Sequence, residues 1–117
     1  MFLTLDKKTS LCYKAALEKK AYDIIVLDLS EYSSITDFFM ICSGNSTRQV
    51  QAIADTIMEK LKKEGARYYG LEGYDAAGWI LIDYDDLVIH IFHEETRKFY
   101  DIERLWGSAP KVEFGDT

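Results

Sequence analysis

Three short stretches of this 117-residue chain carry residue types that do chemistry in other proteins. Asp83-Tyr84-Asp85 is a carboxylate pair of the kind that holds magnesium during nucleotidyl transfer, when a Gly-Ser turn opening a helix lies close by in sequence. Gly44-Asn45-Ser46 has that flavour. Gly44 and Asp83 are 39 residues apart, however, with a helix and a strand between them, several times too far for the motif. Acidic pairs at hairpin turns are more ordinarily solvated turn residues. The only two histidines, His90 and His93, are three apart. On an extended strand they point to opposite faces and cannot share a metal unless the strand ends between them. His93-Glu94-Glu95-Thr96-Arg97 has the outline of H-E-x-x-H, but an arginine stands where the second ligand is needed. No serine sits in a G-x-S-x-G elbow. Cys12 and Cys42 have no C-x-x-C or Cys/His zinc spacing and read as buried, reduced thiols. The start of the helix after Gly44 has free N–H groups that could hold an anion, although Ser46 can cap them within the chain.

The elements that must position these residues follow from periodicity. Residues 5–20 have a helical pattern with a modest apolar side at Leu5, Cys12, Ala15 and Ala16. Residues 23–29 form a short, β-branched, nearly continuous apolar run, which predicts a central strand. A polar loop leads to a second buried strand at 38–43. Gly44-Asn45 breaks it, and Ser46 with Gln49 forms a capping-box pattern. The helix that follows carries Val50, Ile53, Ala54, Ile57 and Leu61 on one face, then Lys62 and Lys63, then Gly65 as its stop. Residues 66–71 predict a third strand, and 79–84 with 87–92 a hairpin around Asp85-Asp86. Residues 96–106 predict a last helix with Phe99, Ile102 and Trp106 on one side. The order is α-β-β-α-β-β-β-α, which implies an α/β domain with one mixed five-stranded sheet and helices packed on it. The whole chain, 1–117, reads as a single domain with a helical N-terminal segment at about 4–20 and a flexible tail at 107–117.

Composition narrows the partners. The chain is 48% hydrophobic and 29% charged, with one proline and seven glycines, so it is globular and has little room for a linker. Fourteen basic against 20 acidic residues give a net charge of -6. Nucleic-acid phosphates and anionic membranes both call for a basic face, so direct binding to either is disfavoured. A basic protein suits this balance better. No apolar run approaches the length of a membrane span, the first residues lack signal-peptide and transit composition, and the default compartment is the cytoplasm.

The hairpin contains a candidate binding face. With Asp85-Asp86 as its loop, Ile80 faces Ile91 and Ile82 faces Ile89, a uniformly apolar side that belongs in the core. The other side pairs Trp79 with Phe92, Leu81 with His90 and Asp83 with Val88. Aromatic, aliphatic, imidazole and carboxylate groups together have the composition of an interface around a tryptophan anchor. The same face covered by a helix, with His90 a satisfied buried histidine, is the competing reading.

Several stretches together resemble one family. They are Asp23-Ile24-Ile25 with Leu27-Asp28, Ser34-Ile35-Thr36-Asp37-Phe38-Phe39, and Ser43-Gly44-Asn45-Ser46 with Arg48-Gln49-Val50 and Ala52-Ile53-Ala54. Glu72-Gly73, Trp79-Ile80-Leu81-Ile82-Asp83, Val88-Ile89-His90, Arg97, Tyr100 and Glu103-Arg104-Leu105-Trp106 continue it. In order and with no large gap from about residue 23 to 106, the chain resembles the ribosomal silencing factors, also called the Iojap family. The resemblance implies a nucleotidyltransferase-like fold without catalysis, no cofactor and no bound metal. It also implies a role as a translation repressor that binds the large ribosomal subunit through ribosomal protein uL14, its fourteenth protein, at the intersubunit face. Bound there, such a factor blocks association of the subunits. Its partner-facing residues fall on Trp79, Leu81, Asp83 and His90, with Val88, Phe92 and Tyr100 nearby. Asp86 departs from the glycine expected near the hairpin turn. Whether the chain forms a homodimer is left open.

The alternative is a magnesium-dependent nucleotidyltransferase-like enzyme. Calorimetric titration with magnesium and ATP separates the two: no site is expected. Micromolar binding that disappears in Asp83→Asn would overturn the non-enzymatic reading.

Overall fold

The computed structural model describes residues 4–32, 34 and 36–113. Ile35 of the motif above and the end of the expected tail, 114–117, lie outside them. Helix α1 (Leu5–Glu18) begins where Thr4 Oγ1 accepts from the Lys7 amide, which satisfies one of its open N–H groups. Strands β1 (Tyr22–Asp28) and β2 (Phe38–Gly44) follow. At the start of helix α2 (Thr47–Lys63), Ser46 Oγ accepts from the Gln49 amide at 3.0 Å. Gln49 Oε1 reaches back and accepts from the Asn45 amide at 2.6 Å, so this side chain ties down the residue before the cap. A cap of this kind contributes about 1 kcal/mol. Gly65, at φ +90°, ends α2 in a Schellman motif: its N–H bonds the Lys62 carbonyl and that of Ala66 bonds Leu61.

Strands β3 (Gly70–Glu72), β4 (Trp79–Asp83) and β5 (Leu87–His93) complete one sheet in the order β1-β2-β5-β4-β3. The β2–β5 pair is parallel and the others are antiparallel, so the predicted mixed five-stranded sheet is the one observed. One face carries Met40, Cys42, Ile80, Ile82, Ile89 and Ile91 against α1 and α2. Cys12, Ala15 and Ala16 are the small buried residues of α1 there, and Val50, Ile53, Ile57 and Leu61 fill the α2 side. Each large side chain buried there is worth about 1.5–3 kcal/mol. Both cysteines are free and buried, and desolvation pushes their thiol pKa values up.

Four expectations change. The apolar strand β1 lies at the sheet edge, not its centre. Its composition still makes sense, because its open edge is covered: Asp28 N–H bonds the Pro110 carbonyl, Val112 N–H bonds Val26, and Lys111 bridges Leu27. The same bonds show that the tail, expected to fray from Gly107, is held on β1 as far as Val112. The third strand shrinks to three residues, because Ala66 is still bound to the end of α2. Residues 96–106 are not one helix. Helix α3 (Glu94–Tyr100) starts early, capped by His93, and ends at Asp101, which is left-handed at φ 45°. A 3-10 helix (Ile102–Trp106) follows. That break turns Phe99 out to 80% exposure and away from Ile102 and Trp106, which pack on the sheet.

Candidate partner-binding site

The second face of the sheet is built by strand alternation. Leu27 of β1, Phe39, Ile41 and Ser43 of β2, Val88, His90 and Phe92 of β5, and Trp79, Leu81 and Asp83 of β4 share it. The hairpin register is the predicted one: Trp79 pairs with Phe92, Leu81 with His90, and Asp83 with Val88.

Helix α3 and the 3-10 helix cover part of this face, and Arg97 fixes them there. Its Nε and Nη2 donate to the two carboxylate oxygens of Glu103, each at 3.0 Å. Its Nη1 donates to Ser43 Oγ at 2.8 Å and to the Asp23 carbonyl at 2.6 Å. That carbonyl is available because β1 slips register between Tyr22 and Ile25, with Asp23 at φ 50°. Tyr22 Oη also donates to Glu94 Oε2 at the start of α3. Under this cover Leu27, Leu29, Ile41, Phe92 and Ala109 form a second, smaller core flanked by Ile102 and Trp106.

The cover stops at Trp79. Phe92 stacks on the indole with ring centres 4.9 Å apart, and Tyr100 packs on it at 5.0 Å. Trp79 Nε1–H donates to His90 Nδ1 at 3.0 Å. An accepting Nδ1 leaves the proton of the neutral ring on Nε2. Nε2 is buried and has no hydrogen-bond partner among the described residues. Phe39 meets the same imidazole edge-on at 4.7 Å. Desolvation pushes the His90 pKa down to about 4, so the ring is neutral at pH 7 and the bond from Trp79 is intact.

The face is therefore partly covered and partly open. Trp79, Leu81 and Asp83 are half-buried, and Tyr100 is 52% exposed. Val88 is buried, His90 is 4% exposed and Phe92 has no accessible surface, so these three lie beneath the face and do not reach outward from it. Sequence reasoning named Glu72 only within the family resemblance and did not place it on this face, where it pairs with Leu81 and is exposed. Only the β3 register reveals it. It also gave Arg97 no task, because both ends of its contacts are distant in sequence.

The possible catalytic groups do not come together. Asp83 accepts a 2.7 Å hydrogen bond from the Asp85 amide, which makes it a turn cap. Gly44 pairs with His93 and Asp83 with Val88, so they lie five rungs apart along the sheet, roughly 17 Å. Asp86, the departure in the turn, ties two other elements together: its carboxylate takes Lys8 Nζ at 2.7 Å, and its carbonyl takes the Asp37 and Phe38 amides. Asp85 meets the turn geometry without glycine, at φ 75°. Among the described residues, no three His, Cys, Asp or Glu side chains gather as metal ligands, and no helix is long and apolar enough to cross a membrane.

Fold and site together define a small α/β domain that presents a half-covered aromatic face on one side of its sheet. Residues 3–117 match the family described as ribosomal silencing factor during starvation, RsfS. A ribosomal silencing factor from Halalkalibacterium halodurans is 46% identical over 103 residues, 88% of each chain. A crystal structure of a protein from Chromobacterium violaceum superposes with a TM-score of 0.88 at 35% identity, covering 98% of this chain and 95% of that one. A mouse protein named for mitochondrial assembly of the ribosomal large subunit is 36% identical over 92 residues, 76% of this chain and 40% of its own length. The chain belongs to the ribosomal silencing factor family.

The buried imidazole makes stability depend on pH. Its folded pKa of about 4 lies below the reference 6.5, so as pH falls the unfolded chain takes up the proton first. The contribution is complete above about pH 6.5 and is lost progressively as pH falls towards 4. Between pH 7 and pH 5 the native protein should lose roughly 2 kcal/mol more than His90→Phe, which has no proton to take up. Urea unfolding of both proteins at the two pH values measures the difference. Equal losses would show that His90 is not buried in its neutral form.

Proposed function

We propose that this protein is a non-enzymatic, cytoplasmic repressor of translation. It binds the large ribosomal subunit through a basic ribosomal protein, uL14, at the intersubunit face, and blocks association of the subunits by occupying that surface. One observation carries the reading: the Trp79 indole is held ready at the rim of the covered face. Phe92 backs it, Tyr100 flanks it and His90 fixes its N–H, so little side-chain freedom is lost when a partner lands. Trp79, Leu81 and Tyr100 supply apolar contact, and Asp83 supplies charge. Val88, His90 and Phe92 act from below as their support. The net charge of -6 favours a basic protein over RNA. Membership of a silencing-factor family and a relative named for large-subunit assembly support the ribosome as the target. Steric exclusion requires only that the docked domain fill space where the small subunit must come.

Trp79→Ala should weaken binding to purified large subunits at every salt concentration, by about 2 kcal/mol or more, roughly 30-fold. Asp83→Asn should mainly slow association in low salt, with its effect fading as salt rises. Co-sedimentation with large subunits over a salt series, read beside a thermal melt of each variant, tests both. A folded Trp79→Ala protein that binds with native affinity would refute the assignment.

A further inference from the structure

Beside Trp79 a groove of about 260 Å3 is lined by Glu72, Gly73, Trp79 and Leu81. Its shape depends on Gly73. That residue is at φ +77°, and a Cβ there would lie 2.1 Å from the Trp79 carbonyl oxygen, so only glycine lets the end of β3 close this tightly on β4. The close approach sets Glu72 opposite Leu81 in the β3–β4 register. Its carboxylate is exposed, and no ion pair or hydrogen bond among the described residues engages it. Asp83 lies further along the same face, opposite Gly70, so two carboxylates share this part of the sheet. One wall of the groove is thus indole and leucine, and one end is a free carboxylate.

Small-molecule pockets usually run to about 300–1,000 Å3, so this groove lies at the small end and has room for a side chain. Its two kinds of lining suit a side chain with an apolar stem and a cationic head. We propose that the groove receives an arginine side chain from the protein partner, with its methylene stem along Trp79 and Leu81 and its guanidinium paired with Glu72. Arginine fits better than lysine for two reasons: a planar guanidinium bonds both oxygens of a carboxylate, and it leaves water more readily beside an apolar wall. The inference rests on the proposed partner-binding role of this face and adds the chemistry that the partner must bring.

A two-armed experiment tests it. In the first, the 15N-labelled protein is titrated with a tetra-arginine peptide. The amide resonances of Glu72, Gly73 and Leu81 should shift saturably, tetra-lysine should bind at least 3-fold more weakly, and Glu72→Gln should weaken arginine binding at least 5-fold. Glu64→Gln, at the end of α2 and away from this face, should bind the peptide like the native protein. The absence of shifts at these amides, equal binding of the lysine peptide, or equal effects of the two variants would overturn the proposal. In the second arm, Glu72→Lys should lower affinity for purified large subunits at least 10-fold, whereas Glu64→Lys should not. If native protein binds subunits and Glu72→Lys binds equally well, the arginine site falls while the partner-binding role stands. If native protein does not bind subunits, that role falls and the peptide arm still decides the groove.

Discussion

The second face of the sheet depends on one guanidinium. Arg97 is 9% exposed and meets a carboxylate, a hydroxyl and a carbonyl from three separate parts of the chain. Burying a cation is costly unless its donors are matched, and here the Glu103 carboxylate takes two of the bonds in parallel. The other two bonds require particular strand geometry. Ser43 is within reach because β2 runs parallel to β5 and pairs Ser43 with Phe92, five residues before Arg97. The Asp23 carbonyl is within reach because β1 bulges there and frees it from the ladder. With those partners in place, α3 and the 3-10 helix are fixed on the sheet, and Tyr100 and Trp106 can land only where they do.

The consequence is a surface with graded exposure. Phe92 and His90 are sealed, Trp79 is half open, and Tyr100 and Phe99 stand outside. The hydrogen bond from Trp79 to His90 joins the sealed layer to the open one, and low solvent access keeps the imidazole a neutral acceptor. Nε2 of that ring is the one buried side-chain polar atom on this face without a partner among the described residues, and it sits under the surface proposed to dock. A rigid aromatic anchor next to the carboxylates of Glu72 and Asp83 is a sensible arrangement for recognising a basic protein, where the apolar contact supplies affinity and the charges supply rate and selectivity.

Much of this could be read from the residues. Strand alternation placed Trp79, Leu81 and Asp83 together and gave the hairpin pairing, because a two-residue loop leaves only one register. The capping pattern of Ser46 and Gln49 located α2, and Gly65 located its end. Long-range partners were not legible. The edge position of β1 depends on residues 110–112 folding back on it, some 80 positions away in the chain, and nothing local in a Gly-Ser-Ala-Pro segment announces that. The break at Asp101 was hidden because the apolar spacing of Phe99, Ile102 and Trp106 suits a continuous helix. Only the left-handed residue between them, held by the Arg97–Glu103 pair across it, separates the two pieces. The place of Glu72 on this face was not legible because a three-residue strand has no periodicity to read.

The Trp79 face, and not the helical face of α1 and α2, is the one proposed to meet the large ribosomal subunit. Hydroxyl-radical footprinting with and without purified large subunits tests it most directly. Oxidation of Trp79, Leu81 and Tyr100 should fall several-fold in the complex, while Leu17 on α1 and Met58 on α2 should be oxidised as in the free protein. Protection of Leu17 and Met58, with Trp79 and Tyr100 unchanged, would contradict it.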